Sequence, residues 1–338
     1  MIIGLIIILL LVLFLPFTKL VERNLEVFLF IMGLLSVFVS QVFSMDLLKE
    51  ALVHPINITL AVLIAGLLFR WFQGPLERGI LGISQAMSFR VFIALFVIIL
   101  GLISSVITAI IAAIILVTVL SVLQLDRKSE IWIVVLACYA IGFGAALTPL
   151  GEPLSTIVVA RLNEEFLYLF KLLGIYIIPG VIIFGILTAL TVKPRFTRNQ
   201  EKQSATEVES YQEIFVRSFK IYLFVMALTF LGAGFQPFID RYLLDLNPLV
   251  LYWINIVSAI LDNATLAAAE ISPAMSETAI RDILLGLLIS GGMLIPGNIP
   301  NIIAAGKLRI TSREYARVAF PIGLIAMVIC FIILLIVG

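Results

Sequence analysis

Apolar runs long enough to cross a bilayer alternate with short polar turns along nearly the whole chain. A hydrocarbon core about 30 Å thick needs roughly 20 apolar residues in a helix. Runs of that kind stand at Ile2–Phe17, Leu25–Phe43, Ile56–Phe72, Ile131–Leu162, Phe166–Val192, Ile214–Phe235, Ile280–Ala305 and Val318–Val337. Two further runs do not fit single spans. Val91–Leu123 carries no charge and as one helix would be about 50 Å long, yet Ser104, Ser105 and Thr108 sit at its middle. Pro248–Met275 has Ser258, Asp262 and Asn263 at its centre. A run that breaks at a polar centre predicts a re-entrant hairpin whose tip stops inside the membrane. Irregular backbone at that depth is tolerated only where it is buried in protein or lines a wet cavity. The pattern therefore predicts an all-α polytopic membrane protein with two re-entrant hairpins and two broken helices.

The order of elements repeats. A span (Ile56–Phe72), a hairpin (91–123), a broken span (131–162) and a span (Phe166–Val192) make a first repeat over 56–192. A span (Ile214–Phe235), a hairpin (248–275), a broken span (280–306) and a span (Val318–Val337) make a second over 214–338. Two scaffold helices in 1–55 precede them, and the polar stretch 193–213 reads as a flexible linker. The repeats enter from opposite sides, so the repeat is inverted. Gly151–Leu162 aligns without gaps on Gly297–Leu308, with Gly151/Gly297, Ile157/Ile303 and Leu162/Leu308 identical. Inverted repeats with broken helices are a transporter architecture that places the site at the repeat interface near mid-membrane.

Charge orients this arrangement. With eight crossings, two hairpins and both termini outside, roughly seventeen of the 22 Lys and Arg fall on the inner side, as the positive-inside rule requires. The linker 193–213 is then cytoplasmic and the protein sits in the inner cell membrane. Composition agrees: 62% of the 338 residues are hydrophobic and 13% charged, against about 25% charged in soluble chains. The net charge of +1 and the lack of a basic cluster with aromatics argue against nucleic acid. Met1–Phe17 has no basic leader or small-residue cleavage site, so a retained helix is expected there. Cys138 and Cys330 read as buried thiols, His54 has no second histidine to join, and no cofactor motif is present.

Three acids, Glu152, Asp262 and Glu270, are expected inside the membrane, where a charge costs at least about 2.5–3.5 kcal/mol. Asp262 and Asn263 mark the second hairpin tip, flanked by Ser258 and Thr265. They could cap the half-helix that follows, bind a cation, or do both. Glu152 lies in Leu147-Thr-Pro-Leu-Gly-Glu-Pro153, where Gly and two prolines should break the span; it is either the cap of the next helix or a ligand. Its repeat counterpart is Asn298. Thr148, Ser155, Thr156 and Asn301 add oxygens at the two breaks, and Ser105 and Thr108 at the first tip. Asp262 and Glu152 are the candidate ligands of a monovalent cation. Glu270, about 12 Å beyond Asp262 on a helix, is expected to face a wet outer vestibule. Asn255 and Ser104 are polar without an assigned role.

The tip Ser258-Ala-Ile-Leu-Asp-Asn263, followed by Gly291-Gly-Met-Leu-Ile-Pro-Gly-Asn-Ile-Pro-Asn301, resembles the ion-transporter superfamily, in its branch of NhaD-type sodium/proton antiporters and arsenite permeases. In overall order the chain is most similar to a small prokaryotic family expected to transport cations, the DUF1646 type. The first tip departs from the antiporter pattern by lacking Asp-Asn, and neither tip has the Ser-Asn-Thr of dicarboxylate carriers. The resemblance implies a homodimer with scaffold helices at the interface and a moving site domain. These observations together predict a secondary transporter exchanging Na⁺ or Li⁺ for protons by alternating access. A small-anion permease (arsenite or carboxylate) is the main rival, because half-helix N-termini can hold an anion without Lys or Arg. A passive channel is a further alternative. An intramembrane enzyme is disfavoured: no histidine accompanies the membrane serines and the acids lie in no protease-like motif.

Overall fold

The computed structural model describes residues 1–15, 24–53, 88–123, 125–192, 210–242, 246–261, 263–271 and 275–337, with the isolated positions 18, 21, 55, 56, 59, 60, 63, 64, 67, 70, 71 and 273. The expected span Ile56–Phe72 lies mostly outside them, as do His54, Asp262 and positions 193–209 of the expected linker. The regular elements are helical, with no strand among the described residues. They are α1 (Ile2–Phe14), α2 (Leu25–Ser40), α3 (Phe89–Ile107), α4 (Ala109–Leu123), α5 (Arg127–Ala145), α6 (Pro153–Leu162) and α7 (Tyr168–Thr191). After the linker come α8 (Tyr211–Tyr242), α9 (Pro248–Ile254), a 3-10 turn (Asn255–Ala259), α10 (Asn263–Glu270), α11 (Glu277–Gly291), a second 3-10 turn (Ile295–Gly297), α12 (Ile299–Lys307) and α13 (Ser312–Val337).

Five of these helices, α3, α5, α7, α8 over Tyr211–Phe238 and α13 over Ser312–Ile336, are long and apolar enough to cross a membrane. The chain is thus a multi-pass helical membrane protein. The helices divide by burial. In α11 every residue from Ala279 to Gly291 is buried, and α5 is buried over almost its whole length. A helix apolar all round belongs in the interior of a large protein or a membrane. By contrast α13 leaves Ile325, Ile329, Ile332 and Ile336 exposed, as suits a face toward lipid. Helices α3, α5 and α7 pack on one another, α11 packs on α9 and α13, and α2 lies along α8. Along the α2–α8 contact Ser36 and Ser40 donate to the carbonyls of Phe230 and Gly234. Small hydroxylated residues let membrane helices approach closely and bond across the interface.

Helix ends are set by local chemistry that apolar runs alone do not mark. Helix α8 begins inside the expected linker because Ser210 and Glu213 form a capping box: Glu213 N donates to Ser210 Oγ at 3.2 Å and Ser210 N to Glu213 Oε2 at 2.8 Å. The same device opens α13 at Thr311 and Glu314, six residues before the apolar run Val318–Val337 starts. Arg127, at the start of α5, donates to Glu130, to both carboxyl oxygens of Glu314 and to the carbonyls of Leu308 and Arg309. It ties the end of α12 and the start of α13 to α5. Close crossing of α3 and α5 requires Gly144, since a Cβ there would collide with the carbonyl of Gly101.

One expectation about a buried polar group needs correction. Glu270 does not face a vestibule: it is fully buried, because α10 is enclosed by α6, α8 and α11. Arg281 is also buried. It pairs with Asp282, Nε to Oδ1 at 2.8 Å, and its guanidinium lies 5.6 Å from the Tyr176 ring centroid. Asp282 is a buried acid that the apolar pattern did not single out. Of the two free thiols Cys138 is buried and Cys330 only half-buried.

Candidate functional site

The first break opens where α5 ends at Ala145 and closes at Pro153, the first residue of α6. Pro is favoured there because its missing N–H would have no partner in the first turn. The turns between α5 and α6 are fastened to the junction of α3 and α4. Thr148 Oγ1 donates to the Ser105 carbonyl at 2.5 Å, and Ala109 N donates to the Gly151 carbonyl at 2.8 Å. At that junction Thr108 adopts φ 75°, a conformation side chains rarely take, and its Oγ1 accepts weakly from Ile111 N at 3.4 Å. Ser104 donates to the carbonyls of Gly101 and Ile141, so it binds the helix pair together and leaves no hydroxyl proton for a ligand. Glu152 is buried within the break, and Ser155 is wholly buried one turn into α6. Thr156 donates to the Pro149 carbonyl but is exposed.

The second break runs from Gly292 to Asn298. Asn301 reaches back from α12 and donates from Nδ2 to the carbonyls of Gly291, at 2.9 Å, and Leu294, at 3.0 Å. Gly291 is the last residue of α11, where carbonyls lack helical partners, and the Leu294 carbonyl, inside the break, also accepts from Gly297 N at 3.3 Å. Asn298 caps α12, its Oδ1 accepting from Ile299 N at 2.8 Å, and its Nδ2 abuts Gly142 of α5. The turn after α9 is fastened to this break. Ser258 Oγ lies 2.6 Å from Ser290 Oγ and donates to the Leu287 carbonyl. Gly297 comes so close to the Ser258 carbonyl and Ala259 that a Cβ would not fit. Asn263 is buried at the start of α10, beside Gly291. Asp262 and the side chain of Thr265 lie outside the described residues.

The helices that follow the breaks and tips pack crosswise. Helix α6 lies on α10, and α12 lies on α4 and α5. The structure therefore gathers Ser105, Thr108, Thr148, Glu152 and Ser155 at one break and Ser258, Asn263, Asn298 and Asn301 at the other, joined by these crossings. Thr156 stands apart from the buried set. Among the described residues, Ser155 Oγ, Asn263 Nδ2 and Asn301 Oδ1 are buried without a hydrogen-bond partner. Most buried polar atoms in proteins are paired, so these three stand out at the two breaks. No group of three His, Cys, Asp or Glu side chains able to hold a metal ion gathers among the described residues.

Sequence reasoning missed Ser290 and the pairing of Asn255 with Glu270, whose Oε2 accepts from Asn255 Nδ2 at 2.9 Å. For Ser290 a signal existed: it is a hydroxyl immediately before the helix-ending Gly291-Gly292. For the Asn255–Glu270 pair none did, because the two residues, fifteen apart in sequence, meet only where the 3-10 turn packs against α10.

A family model described as "Protein of unknown function (DUF1646)" matches residues 2–337. No curated protein matches the chain.

Proposed function

Starting from a chain that belongs to the DUF1646 family, whose description assigns no activity, we propose that it is a secondary active transporter, a Na⁺ or Li⁺/proton antiporter working by alternating access. The observation that carries this reading is the equivalence of Ser155 and Asn301. The two occupy the same place in the Gly151–Leu162 and Gly297–Leu308 alignment. Both are fully buried, one turn past a helix break, and both keep an oxygen without a partner among the described residues. Hard oxygens beside freed carbonyls suit a small hard cation, and broken helices in paired repeats are where transporters hold one.

In this reading 91–123 and 248–275 are the re-entrant hairpins of two inverted repeats, 56–192 and 214–338. The crosswise packing of α6 on α10 and of α12 on α4 is the repeat interface. Asp262 and Glu152 supply the negative charge, with Asn263, Asn298, Asn301, Thr148, Ser155 and Ser258 as neutral oxygens around it. A carboxyl in a low-dielectric site binds a proton or a cation in competition, which is the simplest form of exchange. The protein works as a homodimer in the inner membrane, with α1 and α2 as scaffold and the termini outside.

A small-anion permease would need free helix amides at the breaks. At α12 the first of these already donates to Asn298, which favours the cation. The test is proton movement in sealed proteoliposomes on addition of Na⁺, Li⁺ or K⁺. A cation-dependent pH change that Asp262→Asn abolishes is expected. No response to any cation, with uptake of arsenite or a small carboxylate instead, would replace this reading with the anion one.

A further inference from the structure

Glu270 ends α10 with no exposed surface, and Asn255 opens the 3-10 turn opposite it with 1%. Asn255 Nδ2 donates to Glu270 Oε2 at 2.9 Å. The remaining oxygens of the same two side chains, Glu270 Oε1 and Asn255 Oδ1, have no hydrogen-bond partner among the described residues. With Glu270 ionised both are acceptors only, and neither can satisfy the other. One proton changes the inventory, since a neutral carboxyl has an O–H donor and an acceptor stands on the amide already bound to it.

Among the described residues, the surroundings offer no other compensation for a carboxylate. Helix α10 packs on α6, α8, α11 and the turn that holds Asn255. On α11 the charged groups are Arg281 and Asp282, which engage each other, and Glu277 at the exposed start. Helix α8 carries Arg241 at its exposed end, and Glu152 is the charged group just before α6. None of these forms an ion pair with Glu270. The pair is nevertheless joined to the second break, because Ser290 Oγ donates to the Asn255 carbonyl at 2.6 Å and lies against Ser258.

We propose that Glu270, held by Asn255, is a proton-binding site separate from the Asp262–Glu152 centre: the carboxyl is neutral in this conformation and donates from Oε1 to the amide oxygen. The proton comes from and returns to water when the turn at Asn255 moves. Its use in exchange rests on the transporter reading; the binding of the proton does not.

Infrared difference spectroscopy of the full-length protein in lipid reads the carbonyl stretch of protonated carboxyls directly. The expected result is a protonated-carboxyl band at neutral pH that disappears on alkaline titration, is missing in Glu270→Gln and shifts in Glu270→Asp. Bands identical in wild type and both variants would overturn the proposal. A carboxylate signal at every pH that moves only with added Na⁺ would also overturn it, by making the pair a cation site. The band appearing as expected while no cation drives proton movement would leave the proton site standing and remove the antiporter. The reverse would do the opposite.

Discussion

The two breaks share a plan and differ in chemistry. At the first, the tip offers only hydroxyls, Ser104, Ser105 and Thr108, while the break carries an acid, Glu152. At the second, the break and the start of α12 carry amides, Asn298 and Asn301, and Asn263 stands buried at the start of α10, next in sequence to Asp262. In the proposed transporter each half supplies one acid to the site, Glu152 from its break and Asp262 from its tip. The fastening differs likewise. The first break is held to its tip by backbone carbonyls, Ser105 and Gly151, accepting from Thr148 and Ala109. The second is held by side chains, Ser258 on Ser290 and Asn301 on Gly291 and Leu294. The backbone geometry of a repeat can be kept while its charges are redistributed, because caps and carbonyl ties can be made by either kind of group.

The comparison breaks most sharply at Asp262. Asp262→Asn should abolish cation-driven proton movement in proteoliposomes, whereas Glu152→Gln should leave exchange with an apparent cation affinity about tenfold weaker, worth ~1.4 kcal/mol. Equal loss in both would show that the two acids act as one site. Next in size is Gly144→Val, which forces a side chain into the Gly101 carbonyl where α3 crosses α5. Overpacking of this kind costs about 1–3 kcal/mol, read as a lower Tm in detergent and a reduced yield of monodisperse protein.

The repeat-equivalent pair sharpens the comparison further. Asn301→Ala strips the donors from two carbonyls and should cost about 1–3 kcal/mol of stability together with cation affinity. Ser155→Ala removes a hydroxyl that has no partner among the described residues, so cation affinity should fall while thermal stability holds or rises. Stability falling alike in both would mean that Ser155 is structural. The smallest effect is expected at Arg127. Its side chain is 41% exposed, so Arg127→Ala should cost about 1 kcal/mol or less. The cost should shrink further at high salt, in thermal unfolding at two ionic strengths.

Much of the architecture was legible in the chain before folding. The apolar runs, the two that break at polar centres, and the Gly and Pro around Glu152 and Asn298 come from periodicity and backbone chemistry that act over a few residues. Helix starts were less legible, since Ser210 and Thr311 begin helices in polar sequence that hydropathy reads as loop. The class of protein and the placement of polar groups at the breaks follow from the sequence alone, because a bilayer admits few backbone solutions. Which polar groups are buried, paired or left over was decided only in three dimensions. Glu270 read as a surface acid until α6, α8 and α11 closed around it. Arg281 and Asp282 pair with each other inside the fold, with the Arg281 guanidinium against the Tyr176 ring of α7. Ser155 and Asn301 became a matched pair of unpartnered oxygens only when α6 met α10 and α12 met α4. Desolvation depends on every neighbour at once, and those neighbours come from distant parts of the chain.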